Sequence, residues 1–453
     1  MSKQIKVAFL MAASLFMEIM DGTIVTTALP TMSKALQIST TSSALMISAY
    51  LITVAICIPL SGWISQRFGK KRIWLLAVAG FTLSSLGDAL AVNFSMLLVM
   101  RILQGTFGSL MTPTARIIVL EKTKPEQLLV MTSYLVWPAL LAPAIAPVAG
   151  GAILAVLNWR WIFLINLPIG VVIWFIGRQL IEADHVNEAL PFDAVGFIAI
   201  AIMSISILGG FEAGTHGLAW AWLAGLLIVF GVLVAFFGYW HLKKSTAPLF
   251  TLDTMHIPSF RTSQISGFFL WLSVGAMPYL LTIFLQNIFH WSALKAGGYV
   301  LFIFVGNVSI KPATTPLIRN FGYKFNLLIS FILIFASAAG LAFVTVQTPT
   351  WMIMGLAIIS GAMRSLSLSS YNALCFADVP FEQRNDANTL NSVMQNLAQG
   401  LGISLVSIVI AMFSTVMAMA QAYRVCFVFL GLLVVYPIIE TLILPKNIGA
   451  AAR

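Results

Sequence analysis

The chain has 453 residues, of which 60% are hydrophobic and only 9% charged, with a mean hydropathy of +0.96; a soluble domain carries about 25% charged residues, so no water-soluble fold has interior enough to hide this sequence. A formal charge of +10 points to nucleic acid only when Lys and Arg gather on one solvated face; here they sit in short connections between apolar runs, and no nucleic acid partner is expected. Cys57, Cys375 and Cys426 lie far apart in apolar stretches, with neither metal spacing nor a disulfide framework, and read as small core residues.

The first apolar stretch, Val7 to Leu29, follows Lys3 and Lys6 but is too long for a signal peptide and contains Glu18 and Asp21. A membrane-crossing helix needs about 20 mainly apolar residues, because lipid offers no partner to an unpaired backbone group. Fourteen segments qualify: 7–29, 44–64, 73–92, 95–119, 129–156, 161–180, 195–211, 220–240, 264–288, 297–318, 326–346, 350–376, 391–417 and 422–444. Of these, 195–211 is short and 95–119 contains Arg101. The expected fold is therefore an all-α polytopic membrane protein with 14 transmembrane helices.

Orientation follows from Lys and Arg in the short loops, which favour the cytoplasmic side. With a cytoplasmic N-terminus, 18 of the 25 basic residues lie inside; four (Lys34, Arg160, Lys295, Arg424) lie outside, and three (Arg101, Lys311, Arg364) fall within spans. Both termini should then face the cytoplasm.

Two echoes suggest an internal repeat. Arg67-Phe68-Gly69-Lys70-Lys71 follows the second span and Asn320-Phe321-Gly322-Tyr323-Lys324 the tenth, with Phe68 and Phe321 253 residues apart. Pro125-Glu126-Gln127 and Pro380-Phe381-Glu382-Gln383 repeat at nearly the same offset. The expected organisation is an N-terminal six-helix bundle over 1–180, linkers with an inserted hairpin (about 195–240) over 181–263, and a C-terminal six-helix bundle over 264–453. Parallel repeats of this kind are a transporter architecture with the substrate site between the halves. No phosphate-binding G-x-x-x-x-G-K-[ST] loop is present to hold ATP, which leaves an ion gradient or the substrate's own gradient as the energy source.

In chain order, the first span ends Asp21-Gly22-Thr23-Ile24-Val25-Thr26-Thr27-Ala28-Leu29-Pro30, and the loop after the second reads Gly62-Trp63-Ile64-Ser65-Gln66-Arg67-Phe68-Gly69-Lys70-Lys71-Arg72. The fourth carries Arg101, Gln104, Gly105 and Gly108, and the fifth Ala142-Pro143-Ala144-Ile145-Ala146-Pro147-Val148-Ala149-Gly150-Gly151. Trp159-Arg160-Trp161-Ile162-Phe163-Leu164-Ile165-Asn166-Leu167-Pro168-Ile169-Gly170 opens the sixth. Taken together these segments resemble the major facilitator superfamily, in its fourteen-span drug:proton antiporter branch (DHA2, EmrB/QacA type) and within it the MdtD-type group. The resemblance covers essentially the whole chain. It implies an inner gate at Gly62, Gln66, Arg67, Gly69, Lys70, Lys71 and Arg72, a proton-transfer motif around Arg101, and an antiporter motif at Ala142, Pro143, Ala146, Pro147, Gly150 and Gly151. Gln66 stands where the family carries an acid, which puts a charge-relay latch there in doubt; the surrounding basic residues also serve orientation alone.

The residues carry their own physical reading. Glu18 and Asp21 are three apart, within one helical turn on nearly the same face. A buried charge is costly and a like charge beside it more so, so such a pair can load and release a proton; alternatively Asp21 caps the helix or makes a fixed hydrogen bond. Arg101 lies about six residues into its span and needs an acidic partner or a wet cavity, with Glu18 or Asp21 as candidates. It can couple proton binding to helix movement or form a permanent ion pair. Lys311 and Arg364 have no acidic residue inside spans nine to thirteen, which favours an anionic substrate group, with snorkelling or pairing across the halves as the alternative. Ala142, Ala146 and Gly150 recur every four residues, a smooth stripe that suits either sliding helices or simple close packing. Further cavity candidates are Trp137, Trp271, Tyr279, Gln286, Asn307, Tyr371, Asn372, Asn391 and Gln395.

The expected function is proton-coupled antiport of drugs or amphipathic metabolites out across the inner membrane, with organic-anion export as the alternative. The partners are a small-molecule substrate, protons and the lipid bilayer, the working unit is a monomer, and neither a cofactor nor a metal is called for. An enzyme lacks a nucleophile, base and orienter set, since His185, His216, His241, His256 and His290 all fall in loops or near span ends, and a sensor lacks a soluble domain.

Overall fold

A computed structural model describes residues 3–120, 128–182, 192–215, 218–245, 248, 252–380 and 383–445; the side chains of 40, 41, 120, 128–140, 144, 212, 215, 218 and 384–386 are also outside the described set. Among the described residues there is no strand. Seventeen α-helices follow in order: α1 Lys3–Leu36, α2 Thr40–Ser43, α3 Leu45–Phe68, α4 Lys70–Ala89, α5 Phe94–Leu120, α6 Leu128–Val156, α7 Trp161–Leu164, α8 Asn166–Leu180, α9 Ala194–Thr215, α10 Ala221–Lys244, α11 Pro258–Asn287, α12 Ala293–Ser309, α13 Lys311–Ala342, α14 Thr350–Ala377, α15 Arg384–Phe413, α16 Met419–Leu432 and α17 Val435–Ile443. By length and composition 11 of the described helical runs can cross a membrane; Leu141–Val156 and Ala293–Ser309 are shorter apolar helices.

The tenth expected span, 297–318, is broken. Helix α12 stops at Ser309 and α13 restarts at Lys311, with Pro312 in its first turn, where a missing N–H costs nothing. Lys311 therefore sits at a helix start and not within a continuous span.

Helix packing in lipid depends on close backbone approach, because lipid tails solvate apolar side chains as well as a neighbouring helix does. Gly361 of α14 faces the carbonyl of Ile303 on α12, and Gly306 of α12 faces the carbonyl of Ile358 on α14, so neither position has room for a Cβ. The neighbour relations recur along the chain. α1 packs on α6, α3 and α4 on α5, and α4 on α8; α11 packs likewise on α15, α12 and α13 on α14, and α13 on α16. Contacts between the two groups run through α3 with α15, α6 with α12 and α1 with α11, while α10 packs mainly on α9 and presents Trp222, Leu226, Phe236 and Trp240 outward.

Gly69 and Gly322 are the only described glycines with positive φ, at 92° and 78°. They are the glycines of the two Phe-Gly pairs 253 positions apart, and each ends one helix and starts another; in α13 the break lies inside a single continuous helical run. Two residues beyond each glycine a lysine closes off the last helix of its group. Lys71 Nζ donates to the carbonyl of Ile181 at 2.5 Å, and Lys324 Nζ to those of Leu442 and Leu444 at 2.7 Å each. A cation at a helix C-terminus satisfies orphan carbonyls and the dipole together. The Pro125 to Gln127 echo lies outside the described residues, as do Phe381 and Glu382.

Such backbone angles are open essentially to glycine alone, so Gly69→Ala and Gly322→Ala should each destabilise the protein by about 1–3 kcal/mol. Thermal unfolding of the purified chain in detergent checks this; unchanged midpoints in both variants would contradict the turn assignment.

Candidate functional site

Asp21 sits midway along α1, where the surrounding apolar residues give a carboxylate no water, and two helices, α5 and α8, supply its hydrogen-bond partners. Arg101 of α5 donates through Nη1 to Asp21 Oδ2 at 2.6 Å. The same nitrogen donates to Oε1 of Gln104, one turn further along α5. Gln104 turns its Nε2 to Asp21 Oδ1 at 3.1 Å and to Ser85 Oγ of α4 at 2.6 Å. Asn166, the first residue of α8, donates to Asp21 Oδ1 at 2.7 Å and to Ser85 Oγ at 3.2 Å. The guanidinium lies 4.4 Å from the ring centre of Tyr50 on α3 and 5.9 Å from that of Phe163 on α7. Asp21, Arg101, Gln104, Asn166 and Ser85 are all fully buried. Removing one member of such a pair strands the other charge, at a cost of about 3–5 kcal/mol.

Glu18, one turn earlier, faces elsewhere. Its Oε2 accepts from Thr112 Oγ1 of α5 at 2.6 Å, and the charges that act on it are Arg116 and Asp21. Of the two candidate partners for Arg101, the structure thus pairs Asp21 and leaves Glu18 on a hydroxyl. Sequence reasoning missed Tyr50, Ser85 and Asp88, and met Asn166 only inside a motif. Asp88 was the most legible of these, an acid within the apolar run 73–92.

In the second group, Arg364 of α14 is 3% exposed and donates through Nη2 to Ser273 Oγ of α11 at 3.0 Å; its Nε and Nη1 are buried without a partner among the described residues. Lys311 is half-buried and donates to Ser369 Oγ at 2.9 Å. Arg364 is thus held by α11, whereas Lys311 is held by Ser369 of α14, five residues along from Arg364. The remaining cavity candidates do not converge on one site. Tyr279 meets Ser407 at 3.1 Å and Tyr371 stacks at 5.9 Å from Phe331, both inside the packed second group. Asn391 accepts from Gln264 at 3.0 Å, and Trp271 is buried between the groups beside Ile52 and Leu401. Gln286 donates across the groups to the Thr27 carbonyl at 3.1 Å. Asn307 and Gln395 are half-buried, Asn372 is exposed, and the side chain of Trp137 lies outside the described residues.

The antiporter motif occupies a wedge. Ala142 and Ala146 are fully buried, Gly150 packs on Ile24 and Thr27 of α1, and Gly151 packs on the backbone of Ala293 and Leu294 at the start of α12. Gly297 of α12 returns the contact, against the carbonyl of Pro147. At the opposite end of α3, the gate residues Gln66 and Arg72 are exposed, and Gly62 has open space beside it.

Long apolar helices stacked around buried charges, one of them a paired Asp21 and Arg101, define a multi-pass membrane transporter. The chain belongs to the Major Facilitator Superfamily, whose sequence profile matches residues 11–403. Among curated proteins it is similar to the "Putative multidrug resistance protein MdtD" of Pectobacterium atrosepticum, 29% identical over 90% of this chain and 87% of the relative. The Salmonella typhimurium protein of the same name is 29% identical over 89% and 86%. Among solved structures, a POT family transporter in complex with 5-aminolevulinic acid superposes with TM-score 0.71 at 16% identity, covering 99% of this chain and 96% of that one. A point mutant of the nucleoside transporter NupG gives 0.66 at 12% identity over 96% and 98%. At such identities the likeness is one of fold. The relatives and neighbours are transporters, not enzymes.

A side chain at Gly151 must push α12 away from α6. Gly151→Leu should therefore open the contact between the groups at this end, read as a several-fold faster thiol labelling of a cysteine placed at Leu294; unchanged labelling would mean that the seam does not close here.

Proposed function

We propose that the protein is a proton-coupled antiporter that exports small molecules, drugs or amphipathic metabolites, across the inner membrane by alternating access. The observation that carries this reading is the pair of carboxyls on α1, one locked to a buried guanidinium and one on a hydroxyl within the same turn. Asp21 and Arg101 form the charge-compensated element that responds, and Glu18 is the proton carrier. The names of the similar curated proteins support drug-like cargo.

Residues 1–180 and 264–453 act as two six-helix halves, joined by 181–263 with its inserted hairpin. Fourteen crossings arise when Lys70–Ala89, Leu128–Val156 and Ala293–Ser309 join the 11 longer helices, with the stretch from Lys311 to Gly322 continuing the crossing of Ala293–Ser309 and the remainder of α13 forming the next. With both termini cytoplasmic, as the 18 to 4 distribution of basic residues favours, the contacts of Gly151 with Leu294, Gln286 with Thr27 and Ser404 with Ser48 gather toward the outside. The conformer is then closed outward, with the gate loops near Gly69 and Gly322 on the cytoplasmic side.

In proteoliposomes with an imposed pH gradient, Glu18→Gln should abolish accumulation of a lipophilic cationic dye that the wild type concentrates, while gradient-free exchange survives. An amide copies the protonated acid in shape but cannot release a proton, so one state of the cycle is never reached. A Glu18→Gln, Asp21→Asn double variant that still concentrates dye in response to pH alone would remove both residues from the coupling.

A second reading, export of organic anions, is favoured by the unspent Nε and Nη1 of Arg364. Among the described residues no carboxylate acts on that guanidinium, whereas Arg101 has Asp21 and Asp88. Arg364→Gln should weaken binding of aromatic carboxylates at least tenfold and leave lipophilic cations within about twofold, in equilibrium binding to purified protein. Equal losses for both classes would remove Arg364 from the substrate site.

A further inference from the structure

Asp88 is the one acid in the N-terminal helices with neither oxygen hydrogen-bonded among the described residues, although it is fully buried. It lies in the last turn of α4, three residues beyond Ser85, and so on the face that Ser85 presents to Gln104 and Asn166. The charges that act on it are Arg101 and, repulsively, Asp21. Among the described residues the surrounding helices supply no further cation to it. α1 contributes Asp21 and, a turn along, Glu18; α5 contributes Arg101 and the neutral Gln104; α8 contributes the neutral Asn166, and α3 the ring of Tyr50 behind the guanidinium. Arg160, beside the connection after α4, donates to the Ala91 carbonyl at 3.0 Å.

The charge count is therefore uneven. One guanidinium serves two buried carboxyls, and Asp21 holds it through Nη1 while Nη2 stays buried and unpartnered among the described residues. A buried carboxylate without cation or donor is far more costly than the neutral acid. Antiparallel pairing of α4 and α5, with Gly80 against Phe107 and Gly87 against Met100, puts Asp88 nearer the connection than Arg101 by about two residues, or about 3 Å of helix rise. An arginine side chain spans that distance by changing rotamer.

We propose that Asp88 is a second proton-binding site: it holds a proton while Arg101 is engaged by Asp21, and exchanges that proton for the Arg101 Nη2 when Asp21 becomes neutral. The proton leaves the Asp88 carboxyl as the proton arriving at Asp21 releases the guanidinium, so the cluster keeps its net charge throughout. This extends the proposed proton coupling, in which only Glu18 and Asp21 carried acid chemistry.

The test needs no substrate. The full-length protein in lipid nanodiscs is titrated with pH while infrared difference spectra record the carbonyl stretch of protonated carboxyl groups. The wild type should show a buried carboxyl band that persists in Glu18→Gln and disappears in Asp88→Asn. Asp88→Glu should move the band without removing it, and decides the assignment if the amide variant does not fold. Asp21→Asn should also abolish the band at the same pH, because the released Arg101 pairs with ionised Asp88. A band unaltered by both Asp88 variants overturns the site, and one unaltered by Asp21→Asn overturns the exchange. Loss of pH-driven dye transport with the Asp88 band intact would count against the proposed coupling and leave this site standing.

Discussion

A guanidinium stays charged even in the middle of a membrane, so Arg101 imposes a constraint that its neighbours must satisfy. The fold meets it with groups from separate helices: the Asp21 carboxylate from α1, the Gln104 amide from α5 itself, and the Tyr50 face from α3. Asn166 and Ser85 then tie α8 and α4 to the same carboxylate network. Apolar packing alone gives these helices little reason to choose one another in lipid. The polar network specifies which helices meet and at what depth, and it makes the protonation state of one α1 carboxyl a property felt by four neighbouring helices.

The second group of helices repeats the neighbour relations of the first but not its electrostatics. Among the described residues Arg364 has only the Ser273 hydroxyl where Arg101 has a carboxylate, an amide and an aromatic face. That inequality is the basis of the proposed division of labour, with proton chemistry assigned to the acid-rich group and cargo recognition to the group with the unspent donor. What the halves share is mechanical. Each has a left-handed glycine at the same place, Gly69 and Gly322, and each has a lysine two residues later that closes the final helix, Lys71 and Lys324.

Much of this was legible in the sequence because lipid makes simple demands. Runs of apolar residues mark helices, and the intruding charges Glu18, Asp21 and Arg101 stand out against them. The 253-residue offset of the Phe-Gly pairs gave the positions of both special glycines. The depth and rotation of helices were not legible, and partner choice depends on them. Glu18 and Asp21 share a turn, yet one meets Thr112 and the other Arg101. The polar aromatic and amide candidates of the second group looked equivalent in the sequence, but Tyr279 and Asn391 are hydrogen-bonded within their own group while Gln286 reaches across to the Thr27 carbonyl. The break at Ile310 was hidden because Lys311-Pro312 reads equally well as a kinked span.

The claim on which the rest depends is that Asp21 and Arg101 act as one unit. A double-mutant cycle on thermal unfolding of the full-length protein in lipid, with Asp21→Asn, Arg101→Gln and both together, measures that directly. The account predicts strong non-additivity: Arg101→Gln strands the Asp21 carboxylate and Asp21→Asn forces Arg101 from its partner onto Asp88, while the double change removes both charges together, leaving a coupling of about 1–3 kcal/mol. Additive losses, with the double variant as unstable as the sum of the two, would contradict it.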